Sequence, residues 1–424
     1  MKTPDRQQLF DALPLFKPID DVIKEANLTA WLVGGSVRDL LLGRPFADID
    51  LVCMGDPTAV ARLIARTIDG HWFWLDEPRR QSRVVGHDGL QIDFAPLRAD
   101  TLEADLRLRD FTINAMALAL APPGTGLIDP LGGHDDLRSG TLRMCSAGSF
   151  ADDPLRMLKG IRHAVTLSLA LHPSTLQAIS SQATSINGVA GERIRDELLL
   201  ILDSPNVAVT TRLLVDSGLL TALFGASKQP LDTAALGDHL AVVWDCLEGV
   251  LQQQARQPAF HDLVLRPSLY QLALLSCYFP ADSVESFLRF LCLSRRQQAL
   301  IKALRQPLSA EELNCARDVQ SERQQALVVE GLHPFGRERL LYRGLRTDNL
   351  PWTRFVELLT AYAVLHKDGR IPDLLSGRDY PSSVAPAAIG QLQRQIKQAE
   401  ISGRLNSREE ASRWLEQQLS FDKN

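Results

Sequence analysis

The chain has 424 residues, 45% of them hydrophobic and 23% charged, with a formal net charge of −5. That length allows two or more domains with a sizeable core, and the mix is the ordinary one of a soluble globular protein. A charge of −5 neither demands nor forbids a nucleic-acid partner, because phosphate contacts depend on where Lys and Arg cluster.

In chain order, Met1 to Val22 interleaves Lys2, Asp5, Arg6, Asp11, Lys17 and Asp20 with apolar residues, which is not the uninterrupted apolar core of a signal peptide. The most apolar later stretch, Leu263 to Phe279, is broken by Arg266 and Pro267, so no membrane span is expected. Cys53, Cys145, Cys246, Cys277, Cys292 and Cys315 lack the close spacing of a zinc knuckle or redox motif, and free buried thiols in a reducing cytoplasm account for them.

The first third reads as α/β. An apolar run, Ala30 to Val33, enters Gly34-Gly35-Ser36 and then the helical pattern Val37, Leu40, Leu41. Further strands are expected at Ile49 to Cys53, Trp72 to Leu75, Arg83 to Val85 and Gln91 to Ala95, with a helix carrying Val60, Leu63 and Ile64. From about Ala151 the pattern is almost wholly helical, with breaks near Gly188–Gly191, Ser204-Pro205, Gly225, Pro258, Pro307 and Gly336. The predicted class is α+β: a small α/β head followed by an elongated all-α remainder.

Gly34-Gly35-Ser36-Val37-Arg38-Asp39, followed by Asp48-Ile49-Asp50, is the strongest local signal. A glycine pair entering a helix lets backbone N–H groups approach phosphate, and the helix N-terminus favours that anion. Asp48 and Asp50 sit two apart on a strand, so both carboxylates point to one face, roughly 6–7 Å apart at the backbone. Mg²⁺ takes a few carboxylates plus substrate phosphates, and two such ions can activate a 3′-hydroxyl and stabilise leaving pyrophosphate. Either piece alone also reads as a turn and two solvent-facing aspartates; their succession on one α/β unit favours chemistry. Asp93 is either a third carboxylate for the metal or an edge charge.

Arg109 suits a phosphate, and Asp110 or Asn114 could bond ribose hydroxyls; the same segment also reads as a helix N-terminus with Asp110 near its cap. On one helix Asp153 and Arg156 would share a face and could read the polar edge of a base, or form an intrahelical ion pair worth a few tenths of a kcal/mol. Glu192, Arg195 and Asp196 read as helix-end charges bracing that helix.

Together these segments resemble the class II tRNA nucleotidyltransferase and bacterial poly(A) polymerase family, of the polymerase β-like nucleotidyltransferase superfamily. They occur in the family's order over roughly the first 220 residues. The resemblance implies that Asp48 and Asp50 bind two catalytic Mg²⁺ and that Gly34, Gly35, Ser36 and Arg38 lie at the triphosphate. Arg109, Asp110 and Asn114 would hold phosphate and ribose, and Asp153 and Arg156 would pair with the incoming base, supported by Glu192 and Arg195. Ile128 to Gly133, through Asp136-Leu137, is similar to the family's hinge. The implied parts are a head (1–140), neck (141–205), body (206–330) and tRNA-binding tail (331–424) of a cytoplasmic enzyme that uses CTP, ATP or both on the tRNA 3′ end.

Leu374 to Asp379, Pro386 to Gly390 and Ser407 to Ala411 resemble the tail of tRNA-specific members. There are departures. The base-reading motif begins Asp152-Asp153 where the family has Glu-Asp, and Leu108 stands where it has a first arginine. Only ten residues separate Arg98 from Arg109; CCA-adding members carry a longer flexible loop there, so the short connection resembles the CC-adding subtype. One rival is a poly(A) polymerase, whose basic C-terminal extension has no counterpart in Phe421-Asp422-Lys423-Asn424. Others are an HD-type phosphohydrolase built on His261-Asp262, and a non-catalytic RNA-binding protein, against which both aspartates argue. Arg295, Arg296, Lys302 and Arg305, or Arg337, Arg339, Arg343 and Arg346, are the candidate RNA-facing patches.

Overall fold

The computed structural model describes residues 16–45, 48–87, 89–121, 126–204, 206–225, 232–254, 266–306, 316, 321–332, 335–344, 352–367, 374–376, 379–381 and 384–421. His261, Asp262, Arg346, Cys315, Gly377 and Arg378 lie outside the described residues. Contacts divide the chain into two compact units, residues 1–197 with 213–223, and residues 198–212 with 224–424.

The first unit begins α1 (Phe16–Glu25), β1 (Ala30–Val33), α2 (Gly35–Leu41), β2 (Asp48–Cys53), α3 (Thr58–Thr67), β3 (His71–Asp76), β4 (Gln81–Val85), β5 (Gln91–Pro96) and α4 (Leu102–Arg107). A 3₁₀ turn (Thr112–Asn114), β6 (Ala117–Ala121) and β7 (Leu127–Ile128) follow. The strands form one mixed sheet in the order β3-β4-β5-β2-β1-β6-β7, with β2 parallel to β5 and the other pairs antiparallel. All five predicted strands are present. β6 was not predicted: Ala117 to Ala121 is a short, wholly apolar run, which periodicity cannot assign to strand or helix.

Alternation along the strands separates two faces. Ile49, Leu51, Val84, Ile92 and Phe94 are buried on one, where α1 and α3 supply Ile19, Ile23, Ala61 and Ile64. Asp50, Arg83 and Asp93 fall on the other, which stays polar.

The segment resembling a hinge is firmly fastened. Both carboxylate oxygens of Asp129 accept N–H groups, from Gly133 (2.8 Å) and His134 (2.9 Å), at the start of α5 (Gly133–Arg138). Asp136 accepts from Thr112 Oγ1 at 2.7 Å and pairs with Arg143 at 3.0 Å. After a short parallel pair, β8 (Thr141–Leu142) with β9 (Ala170–Leu171), the described elements are helical: α6 (Ser149–Asp152), α7 (Arg156–Thr166), α8 (Pro173–Gln182), α9 (Gly191–Leu202), α10 (Val207–Asp216) and α11 (Leu219–Phe224).

In the second unit follow α12 (Thr233–Gln254), α13 (Pro267–Ser276), α14 (Ala281–Phe290), α15 (Arg295–Arg305), α16 (Glu322–Gly331), α17 (Gly336–Gly344), α18 (Trp352–Lys367), α19 (Pro386–Ile401) and α20 (Arg408–Phe421). Pro267 opens α13 at a position where its missing N–H costs nothing. The break expected near Gly336 separates α16 from α17, and at Gly336, which starts α17, a Cβ would lie 2.0 Å from the Val329 carbonyl oxygen. Leu375, Tyr380, Ile396, Ala399 and Leu415 share one apolar cluster, and Asp379 accepts from Ser376 and pairs with Arg408, joining two of the tail segments. Among the described residues no helix is long and apolar enough to cross a membrane. Cys53, Cys145, Cys277 and Cys292 are free thiols, of which only Cys53 is buried.

Candidate active site

The turn from β1 into α2 places Gly34 against β2. Gly34 has φ 71 and ψ −139, and a Cβ there would lie 3.0 Å from Arg109 Nη1 and 3.1 Å from Asp50 Oδ2. Ser36 is buried; its hydroxyl donates to the Asp48 carbonyl (2.9 Å) and accepts from the Asp50 N–H (3.0 Å). One side chain thus ties the glycine turn to the strand bearing both aspartates. The hydroxyl of Ser36, a residue expected at the triphosphate, is hydrogen-bonded on both sides to the β2 backbone.

Asp48 is exposed and Asp50 half-buried on the polar face of β2. Burial raises the Asp50 pKa; Arg109 and Arg83 oppose this, while Asp93 and Asp48 push it further up. A carboxylate in that surrounding is stabilised by an added cation. Hard oxygen donors, two on one strand face and open to substrate oxygens, fit a divalent ion. Asp93, directly beside Asp50 in register, is held by Arg83 through two bonds of 2.6 and 2.8 Å. Among the described residues no group of three or more Asp, Glu, His or Cys is placed to hold an ion, and Asp93, next to Asp50, has its charge balanced by Arg83.

Arg109 sits just beyond α4, half-buried, with Asp105 Oδ2 at 3.5 Å and a buried Nε that has no hydrogen-bond partner. Asp110 follows the helix end rather than capping a long helix: it accepts from Phe111 N–H (2.8 Å) and Asn114 Nδ2 (3.1 Å) across the 3₁₀ turn. Burial works against its ionisation, but His163, Asn114 and the Phe111 N–H outweigh it and hold the pKa below the ordinary value. Arg38 makes a bidentate pair with Asp39 (2.9 and 2.8 Å) and donates to Asn114 Oδ1 at 2.8 Å. Arg38 and Asn114, both expected at the nucleotide, are linked in one hydrogen-bonded chain to Asp110.

Asp153 and Arg156 do not share a helix. Asp153 is extended (φ −148, ψ 98) because Pro154 follows it, and α7 begins at Arg156. The predicted intrahelical ion pair is therefore absent. The Arg156 guanidinium donates to Ser149 Oγ (3.1 Å), the Ser149 carbonyl (3.3 Å) and the Leu108 carbonyl (3.0 Å). Asp153 accepts from Arg193 at 3.0 Å. On α9 it is thus Arg193 that reaches Asp153, while Arg195 donates to its neighbour Asp196 and Glu197 takes Arg162 at 2.8 Å. Glu192 is exposed, as is Asp152, the residue that departs from the family's Glu.

Asp50, Arg109, Asp110, Asp153 and Arg156 line one cleft of about 320 Å³. Asp93, Arg98 and Lys159 line it too. Lys159, one helical turn from Arg156, was legible from spacing; Arg98, Arg83 and Arg193 carried no sequence signal beyond being arginines near a motif. Eight charged groups of both signs in one cleft suit a ligand with a triphosphate, a sugar and a base edge.

The profile described as Poly A polymerase head domain matches residues 30–101 and 97–143, and one described as Probable RNA and SrmB- binding site of polymerase A matches residues 168–229. The chain is 44% identical over 227 residues to a CC-adding tRNA nucleotidyltransferase of Geobacter sulfurreducens, across 53% of this chain and 52% of that protein, so the match spans about half of each. It is 33% identical over 427 residues to an A-adding tRNA nucleotidyltransferase of Deinococcus radiodurans, across 92% of this chain and 96% of that one. The fold is that of a solved CCA-adding enzyme complexed with CTP, with a TM-score of 0.71 at 24% identity over the full length of both chains.

Proposed function

We propose, from the premise that this chain belongs to the class II tRNA nucleotidyltransferase and poly(A) polymerase family, that it adds nucleotides from CTP, ATP or both to the 3′ end of tRNA. The observation that carries this is the Ser36 bridge, which joins the Asp48/Asp50 strand to the glycine turn beside one cleft containing Arg109, Asp110, Asp153 and Arg156.

The terminal 3′-hydroxyl attacks the α-phosphorus, a P–O bond forms, and pyrophosphate leaves. Asp48 and Asp50 would hold two Mg²⁺ ions, which supply charge stabilisation to the hydroxyl and the leaving group. Arg109, with an unused Nε–H in a dry surrounding, suits a phosphate oxygen. Asp110, held ionised by its donors, accepts from the ribose. Asp153 and Arg156 present an acceptor and a donor fork to the base edge, with Arg193 fixing the carboxylate plane. Head (1–140), neck (141–205), body (206–330) and tail (331–424) remain the proposed division of labour, with the first two inside the first compact unit apart from the end of the neck.

We assign the CC-adding subtype. The ten residues between Arg98 and Arg109 contain α4, capped by Thr101 and closed by Asp105, which accepts from the Arg98 backbone (3.0 Å) and Nε (2.9 Å). A connection this short and fastened supports a site that stops before the terminal A. The test uses tRNA transcripts ending at the discriminator base, at C and at CC, with CTP or ATP offered separately. CTP use on the first two without ATP use on the third is expected; ATP addition to the CC end overturns the subtype, and long adenylate tails on unrelated RNA overturn the substrate.

A further inference from the structure

We propose that the edge strand β3 is a stacking platform for the unpaired 3′ end of the RNA substrate, built by Phe73 and Leu75. The proposal rests on the nucleotidyltransferase reading above and extends it to the primer, for which the cleft groups named so far provide no base-stacking surface.

The argument begins with register. Phe73 lies opposite Arg83, Arg83 opposite Asp93, and Asp93 opposite Asp50. Directly opposed residues project from the same sheet face, so one row of side chains runs from the metal-binding aspartate to the open edge of the sheet. Three interstrand steps make that row about 14 Å long, within reach of the last few unpaired nucleotides of an RNA whose terminal hydroxyl lies at Asp50. Pairing shifts between Trp74 and Asp76, leaving Leu75 as the extra residue. Bulges beside active sites re-aim side chains, and Leu75 is a wall of the same cleft as Asp50.

Exposure makes the row unusual. Phe73 is 43% and Leu75 47% exposed, while Trp72 and Trp74, on the other face, pack edge-to-face at 4.9 Å with Arg62 over Trp72 at 4.2 Å. The structural aromatics of β3 are thus already engaged, and the two apolar side chains on the catalytic face are left to water. The turn to β4 carries both signs, Asp76 and Glu77 with Arg79 and Arg80; both arginines are exposed, Arg79 at 3.4 Å from Asp76 and Arg80 at 3.8 Å from Asp56. An aromatic face flanked by arginines, continuous with a nucleotide cleft, is the chemistry that single-stranded RNA uses, bases on the ring and phosphates on the cations.

The test pairs kinetics with a direct optical readout. A tRNA transcript ending at C carries 2-aminopurine at the preceding discriminator position, and wild type, Phe73→Ala and Phe73→Trp are compared for CTP incorporation and for fluorescence on binding. Phe73→Ala should raise KM for RNA roughly 5- to 150-fold, leave KM for CTP unchanged and abolish the 2-aminopurine quench; Phe73→Trp should restore both. Unchanged RNA KM with normal wild-type incorporation overturns the platform alone. A uniform rise in both KM values assigns Phe73 a structural role, and loss of self-association with RNA KM intact assigns this edge to a second copy of the chain; either overturns it. If wild type incorporates nothing on any RNA, the proposed function fails, and the fluorescence titration still decides whether bases stack at Phe73.

Discussion

At Gly34 two independent constraints fall on one Cα. Its φ of 71 with ψ −139 belongs to backbone that side-chain-bearing residues rarely adopt, and a Cβ would meet Arg109 and Asp50 near 3.0 Å. At Gly35 the nearest atom to a Cβ is the flexible end of Arg38, at 3.4 Å. Gly34→Ala should therefore cost about 1–3 kcal/mol in urea unfolding and depress incorporation further than that loss of stability explains, whereas Gly35→Ala should be nearly neutral in both. Equal effects at the two positions would remove the geometric account of the pair. The sequence reading found the pair but not which glycine is obligatory, because φ is set by what packs across the turn. The internal partners of Ser36, Arg38 and Asn114 were hidden for the same reason: each is polar and adjacent to the motif, and only tertiary packing shows what such a group braces. A second residue invisible to motif reading is His163, buried edge-on to Phe111 at 5.9 Å. Burial lowers its pKa, helped by Arg162, Arg38 and Lys159 and opposed by Asp110. The unfolded chain then takes up a proton near the ordinary histidine value while the folded chain does not, so stability present above about pH 6.5 declines as pH falls, by up to about 2 kcal/mol between pH 7 and 5. His163→Gln should flatten that decline in denaturant melts; an unchanged slope would mean that the proton goes elsewhere.

Among elements, the connection through α4 governs how Arg109 is presented. Asp105 is fully buried and holds Arg98 and Arg109 at once. Burial raises its pKa, but the hydrogen bonds and charges of the two arginines outweigh it, and the folded carboxyl titrates below its ordinary value. Its stabilisation is present above the ordinary carboxylate value of about 3.9 and is lost as pH falls through the lower folded value. Asp105→Ala would leave Arg109 without its close partner, at a cost on the order of 3–5 kcal/mol. Equilibrium unfolding at pH 7 should show that loss, with the difference from wild type shrinking in acid; a pH-independent difference would assign the effect to packing. Element existence was legible wherever a period was clear, as in β2 with its alternating Asp48, Ile49, Asp50. It failed at β6, which has no polar alternation, and at Asp153, where helical spacing was weighed above the proline that follows. Asp153-Pro154 carried the right answer in two letters, since the residue before proline is driven out of the helical region.

For the whole molecule, a net charge of −5 must be reconciled with a polyanionic substrate. The resolution lies in distribution, and the two candidate patches differ. On α15, Arg295 and Arg296 are exposed, and Lys302 is paired with Glu285. On α17, Arg339 is turned inward, 7% exposed, donating to the Leu332 carbonyl at 3.1 Å, so that candidate patch loses a member. Among the described residues of the two patches, Arg295 and Arg296 are thus the exposed arginines. Neutralising about four phosphates predicts that tRNA affinity falls about a hundredfold between 50 and 200 mM salt. Removing Arg295 and Arg296 together should reduce the slope of log affinity against log salt by about two, while nucleotide affinity at the cleft residues stays as in wild type. A variant that keeps the wild-type slope would take α15 out of the RNA interface, and a flat response in the wild type itself would mean that recognition is carried by shape and stacking, with the acidic chain repelling its substrate everywhere else.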